Sequence, residues 1–155
     1  MEEMKQNIVP SFICPGAAKS GTTTLFSILE THMGIYLYSG KEIGYFGKGD
    51  RYSKGYNWYK KNYFSENKSN KVSGDISTNY MTYSKLAAKR IYETLGPEVK
   101  LIFILRNPAK RAFSHYKMRK FNNLSEEEDF SSLVSKLVFD KKAFSKAYTD
   151  KLSAN

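Results

Sequence analysis

A single cysteine, Cys14, among 155 residues excludes an internal disulfide and any CxxC metal site. No apolar run approaches the ~20 residues of a membrane span. The N-terminus, MEEMKQNIVPSF, lacks the basic start and apolar core of a signal peptide. The expected setting is therefore a soluble protein of a reducing cytoplasm. Acidic residues are also short: 15 Asp and Glu face 25 Lys and Arg, a net charge of +10. That surplus favours an anionic partner, but it does not separate nucleic acid, phosphorylated cofactor, acidic sugar and membrane surface. No nucleic-acid-binding motif is present, so a nucleotide site with a basic surface explains the charge equally well.

What remains is a globular chain, 41% hydrophobic, with apolar residues along its whole length. Its length predicts one domain, residues 1–155, burying roughly two-thirds of its unfolded surface. Ile8 to Cys14 reads as a buried strand ending at Pro15-Gly16. Leu25, Phe26, Ile28 and Leu29 predict a helix from about Thr22 to Thr31. Gly34–Ser39 and Lys71–Ser77 read as short strands, the glycine-rich segment from Lys41 as loop, and YNWYKKNYF as helix. Leu86, Ala87, Ile91 and Leu95 form one helix face, stopped by Gly96-Pro97. Val99–Arg106, with its unbroken Leu-Ile-Phe-Ile-Leu run, reads as a central parallel strand buried on both faces. Pro108 then opens a basic helix, and Ser125–Glu128 reads as a capping box for a last helix carrying Phe130, Leu133, Val134 and Leu137. Strand–helix alternation of this kind implies an α/β fold: a parallel sheet flanked by helices in three layers.

Two stretches carry chemistry. PGAAKSGTTT, Pro15–Thr24, joins a strand to a helix. Gly16 and Gly21 permit close backbone approach, the helix start offers N–H groups and a positive dipole end, Lys19 adds a cation and Thr22, Thr23 and Thr24 add hydroxyls. A nucleotide hydrolase places its lysine after the second glycine; here Thr22 holds that position, and LIFILRNP ends in Arg106 rather than a Mg²⁺-binding aspartate. The second stretch is LRNPAKRAFSHY, Leu105–Tyr116. Arg106 stands at a strand's carboxyl end, where open α/β sheets bind ligands, and Ser114 lies two helical turns on. An arginine fork and a hydroxyl suit a terminal phosphate.

Together these stretches resemble the sulfotransferases that use 3′-phosphoadenosine 5′-phosphosulfate (PAPS). GAAKSGTTTL is similar to the family's 5′-phosphosulfate loop and LRNPAKRAFSHY to its 3′-phosphate motif. Lys41–Phe64 and GDISTNYM, Gly74–Met81, resemble segments of the carbohydrate sulfotransferases, the heparan-sulfate type and its bacterial relatives. The resemblance spans Pro10 to Phe121, with 122–155 a helical tail. It implies a P-loop-like fold that is incomplete beside the full family domain. It implies that Lys19, with Ser20, Gly21, Thr22, Thr23 and Thr24, holds the 5′-phosphosulfate, that Arg106 and Ser114 hold the 3′-phosphate, and that Glu42 is the catalytic base, with Lys19 also catalytic. It further implies sulfuryl transfer by in-line displacement without metal, PAP as product, and a hydroxyl or amine acceptor on a polysaccharide, glycolipid or similar molecule.

Other residues read as ordinary structure: His32 and His115, the aromatic spacing of Trp58, Tyr59 and Tyr63, the exposed basic run Lys110, Arg111, Lys117, Arg119 and Lys120, and Cys14 as a buried small hydrophobe. The chain departs from the resemblance at Ile76, where a second catalytic lysine is frequent, at Asp75, where Glu is common, and at Thr78, where Pro is common. It is also short for the family, whose domains run toward ~250 residues. A shortened α/β domain exposes apolar surface that self-association would cover, and a PAP-binding remnant without turnover is the alternative function.

Overall fold

The computed structural model describes residues 9–67, 71–123 and 129–139. They fall into two compact units, residues 1–105 and 106–155. The first holds strands β1 (Phe12–Gly16), β2 (Ile35–Leu37), β3 (Val72–Ile76) and β4 (Lys100–Phe103) and helices α1 (Thr22–Glu30), α2 (Tyr56–Tyr63), α3 (Asn79–Thr82) and α4 (Ser84–Leu95). The second holds α5 (Pro108–Phe121) and α6 (Phe130–Phe139). The predicted capping box at Ser125–Glu128 and the polar tail after Phe139 lie outside the described residues.

The strands form one parallel sheet in the order β2-β3-β1-β4. Side chains alternate across a strand, and β1 shows the consequence. Phe12 and Cys14 pack with Phe26 of α1 and Ile76 of β3. Ile13 packs on the other face with Tyr59 of α2, Tyr80 of α3 and Ala87, Ile91 and Leu95 of α4. Helices thus cover both faces, as expected. The chain leaves β1 toward β2 in one direction and β3 toward β4 in the other, so the two connections part at the carboxyl end of β1. That is the switch point where open α/β sheets bind ligands. Gly74 lies at the other end, beside Phe12 at the start of β1, where a Cβ would sit 2.1 Å from the Phe12 ring.

Two strands differ from expectation. β1 starts at Phe12, after the bends at residues 9–11, and runs on through Pro15, while Ile8 of the expected strand lies outside the described residues. Proline cannot donate to a ladder, and the register against β4 shifts between Ile13 and Gly16. Pairing resumes past the proline, where the Ile104 N–H donates to the Gly16 carbonyl at 2.9 Å and the Ala17 N–H to the Ile104 carbonyl at 2.8 Å. β4 is not a central strand but an edge among the described residues, with Leu101 49% and Phe103 54% exposed. An apolar run records a demand for burial on two faces; it does not say what meets that demand. Beside β4, Tyr80, Met81, Ala88, Tyr92, Leu101 and Phe103 line an apolar cavity of about 500 Å³. No helix among the described residues is long and apolar enough to cross a membrane.

Candidate active site

The turn from β1 into α1 leaves polar groups unmatched. The Ser20 N–H donates to the Ala17 carbonyl at 3.2 Å, and Gly21, at φ 108°, gives its carbonyl to the Leu25 N–H at 3.0 Å. Thr22, Thr23 and Thr24 form the first turn of α1, where amides have no carbonyl one turn back to meet. No side chain caps them. The Ser20 Oγ is buried and has no hydrogen-bond partner. Buried polar atoms are nearly always paired, so an orphaned hydroxyl beside uncapped amides at a positive dipole end marks a place for an anion.

The segment from Lys41 forms a second wall across the end of β3. The Glu42 N–H donates to the Ile76 carbonyl at 3.2 Å, and the Gly44 N–H to the Ser77 Oγ at 2.9 Å. The Glu42 Oε2 accepts the Thr78 N–H at 2.7 Å, and the Thr78 hydroxyl lies 3.1 and 3.2 Å from the two carboxylate oxygens. Lys41 Nζ donates to Thr23 Oγ1 at 2.9 Å and stands 3.6 Å from Glu42 Oε1. The two walls therefore meet through Lys41. Backbone conformation singles out the same positions. Lys19 (φ 67°), Lys41 (φ 42°) and Glu42 (φ 46°) are three of the four described non-glycine residues at positive φ. For side chains of this kind the left-handed region costs roughly 1–2 kcal/mol per residue, and such strain gathers at functional sites.

Behind this wall sits a carboxyl removed from solvent. Asp75 is fully buried, and its oxygens accept hydroxyls from Ser77 at 2.5 Å, Tyr80 at 2.6 Å and Tyr59 at 2.7 Å. Burial pushes the Asp75 carboxyl above its ordinary value, and the three hydrogen bonds pull part of the way back. Burial first, and then the Asp75 charge, lift both tyrosine hydroxyls well above theirs. A carboxyl whose folded pKa exceeds its unfolded one contributes most stability below the unfolded value and loses it as pH rises through the folded value. Asp75 therefore favours folding more in acid than at neutrality. Its role is positional: Ser77 bonds both Asp75 and the amide of Gly44, two residues past Glu42. Tyr59→Phe removes one donor from a buried carboxyl and is expected to destabilise the fold by about 1.5–3 kcal/mol, read as a lower urea midpoint with unchanged slope.

The sulfotransferase domain family matches residues 10–153. The chain belongs to the sulfotransferase family. It is 36% identical over 116 residues to "Membrane-associated sulfotransferase kil1" of Dictyostelium discoideum, covering 74% of this chain and 24% of that protein. It is 33% identical over 113 residues to "Bifunctional heparan sulfate N-deacetylase/N-sulfotransferase 1" of Caenorhabditis elegans, covering 70% of this chain and 13% of that one. A solved sulfotransferase from Alicyclobacillus acidocaldarius superposes with a TM-score of 0.66 at 28% identity, over 82% of this chain and 56% of that chain. The chain thus spans a quarter or less of these two curated relatives and just over half of the solved domain.

Within this family member, the first unit brings together the loop around Lys19, the start of α1, Lys41, Glu42 and Thr78. Arg106 and Ser114 belong to the second unit. There Asn107 caps α5 by accepting the Lys110 N–H at 3.1 Å, and Pro108 sits in the first turn, as the sequence implied. Arg106 is exposed just before that cap, and Ser114 is half-buried within the helix. Ile76 turns away from the site into the core with Phe12, Cys14 and Phe26. Thr78 uses its own N–H on Glu42, a bond proline lacks the hydrogen to make. Among the residues read as ordinary structure, Cys14 and Tyr59 are buried, and His32 Nδ1 accepts the Gly34 N–H at 3.1 Å in a turn. Lys41 is the residue the sequence reading passed over. Its one signal was its place directly before Glu42.

Proposed function

We propose that the chain is a sulfotransferase that moves a sulfuryl group from PAPS to a hydroxyl or amine of a carbohydrate-like acceptor. The observation that carries this reading is the junction at the end of β1: an uncapped helix start with an orphaned Ser20 hydroxyl, linked by Lys41 to the carboxylate of Glu42. These residues fit the 5′-phosphosulfate of PAPS. Bound there, PAPS supplies an activated sulfuryl group and a leaving group that departs as PAP. Lys19 and the amides of Ser20 through Thr24 would hold its anionic oxygens, and Arg106 and Ser114 its 3′-phosphate. Glu42 would take the acceptor's proton onto a carboxylate oxygen, held at the right angle by Thr78. Fixed donors and one base suffice, because the catalytic demand is positioning and charge stabilisation. The heparan sulfate enzymes among the relatives support a carbohydrate acceptor. A chain with one cysteine suits a reducing cytoplasm, although the Dictyostelium relative carries the name membrane-associated.

Calorimetry with adenosine 3′,5′-bisphosphate and with adenosine 5′-monophosphate tests the donor assignment. The bisphosphate is expected to bind about 10- to 100-fold more tightly, the worth of charge-assisted bonds to one phosphate. Arg106→Ala is expected to abolish most of that preference. Equal affinities in the native chain would sink the assignment of Arg106 and Ser114.

A further inference from the structure

We infer that Lys41 is a positioning residue, whose ammonium bridges the base to the anion cradle so that a carboxylate can work beside an anionic donor. The inference rests on the reading of Glu42 as base. The electrostatic problem is general to such a site. The donor's oxygens and the Glu42 carboxylate carry the same sign, and placing them side by side repels each from the other. A cation between them removes that conflict. Lys41 stands in the right place: 2.9 Å from Thr23 Oγ1 in the first turn of α1 and 3.6 Å from Glu42 Oε1.

Its placement is specific. The Lys41 side chain is 18% exposed, against 44% for Glu42, so the lysine is the more buried of the pair. Lys41 and Glu42 both hold left-handed backbone, which swings adjacent side chains into one contact that an extended segment would send to opposite sides. The Lys41 N–H donates to the Tyr38 carbonyl at 3.1 Å and the Glu42 N–H to the Ile76 carbonyl, so the strained pair is pinned at both residues. Position 76 offers no cation, because Ile76 packs in the core on the α1 side. Asp75 on β3 also lies within electrostatic reach of Glu42, and its like sign adds to the need for a cation.

The test compares Lys41→Met and Lys41→Arg with the native chain in two measurements. The first is the carboxyl-carbon NMR resonance of Glu42 at one neutral pH, which needs no donor. Lys41→Met is expected to shift that resonance, because the carboxylate loses its neighbouring cation, and Lys41→Arg is expected to restore it. The second is turnover. Lys41→Met is expected to lower kcat tenfold or more at neutral pH while bisphosphate affinity stays within threefold, and Lys41→Arg is expected to recover most of the loss. An unmoved Glu42 resonance, or turnover within threefold of native while Glu42→Gln is inactive, would overturn the role of Lys41. A native chain that binds no bisphosphate and transfers no sulfate overturns the sulfotransferase reading instead, and the Glu42 resonance still decides whether Lys41 holds Glu42.

Discussion

Glu42→Gln is expected to lower sulfate transfer by about a hundred- to ten-thousand-fold, the usual worth of a positioned general base. The substitution keeps the length and branching of the side chain but removes the proton acceptor. It also reverses one partner. In the native site both Glu42 oxygens accept from Thr78, through its N–H and its hydroxyl, and the Lys41 ammonium stands 3.6 Å from Oε1. A glutamine must aim its NH₂ at one of these donors or swing out toward solvent. Because the side chain is 44% exposed, swinging out is open to it, and the fold should lose no more than about 0.5 kcal/mol. Bisphosphate affinity is expected to stay within a few-fold, since the proposed role of Glu42 is toward the acceptor rather than the nucleotide. The checks are kcat with isotopically labelled donor, calorimetry and a urea melt on the same preparation. Turnover within tenfold of native would show that another group takes the proton. Turnover undetectable in the native chain as well, with the bisphosphate still bound, would instead favour a nucleotide-binding remnant.

The parts of this site that the sequence revealed are those built from neighbours in the chain. Gly16, Lys19, Gly21 and Thr22–Thr24 lie within nine residues, and one strand-to-helix turn assembles them. Asn107-Pro108 likewise announced the start of α5 by local chemistry alone. What escaped was assembled by the sheet. Lys41 and Thr23 are 18 positions apart, and only the parallel order that brings β3 beside β1 sets them in contact. The Asp75 cluster draws hydroxyls from α2, from the end of β3 and from α3. Tyr59 was correctly read as core, but a helical spacing of aromatics cannot show that one hydroxyl will meet a buried carboxyl. Ile76 stood out as a missing lysine; strand parity explains its side chain, since Asp75 faces Tyr59 and Tyr80 and its neighbour must face the opposite core. The apolar run of β4 misled for a related reason: membership of a sheet is local, but position within it is not.

Lys19 poses a sharper experiment, because its backbone and its side chain make opposite demands. At φ 67° it occupies a region that glycine enters freely and that costs a residue with a Cβ roughly 1–2 kcal/mol. Glycine at the same position gives back about 0.5–1 kcal/mol through the greater freedom of the unfolded chain. Lys19→Gly is therefore expected to be more stable than Lys19→Ala by about 0.5–1 kcal/mol, the difference between these two effects. Activity should ignore that gain. Both variants lose the cation proposed to meet the donor's bridging oxygen, and both are expected to lower turnover by about a hundred- to a thousand-fold, as does the loss of one preorganised stabiliser of developing charge. Paired urea melts and kcat measurements on the two variants separate the demands. A Lys19→Gly chain that keeps its turnover would remove Lys19 from the chemistry. A Lys19→Gly chain less stable than Lys19→Ala would show that the loop does not impose the left-handed conformation. If both expectations hold, the loop keeps a strained lysine where glycine folds better, and the ammonium is the reason.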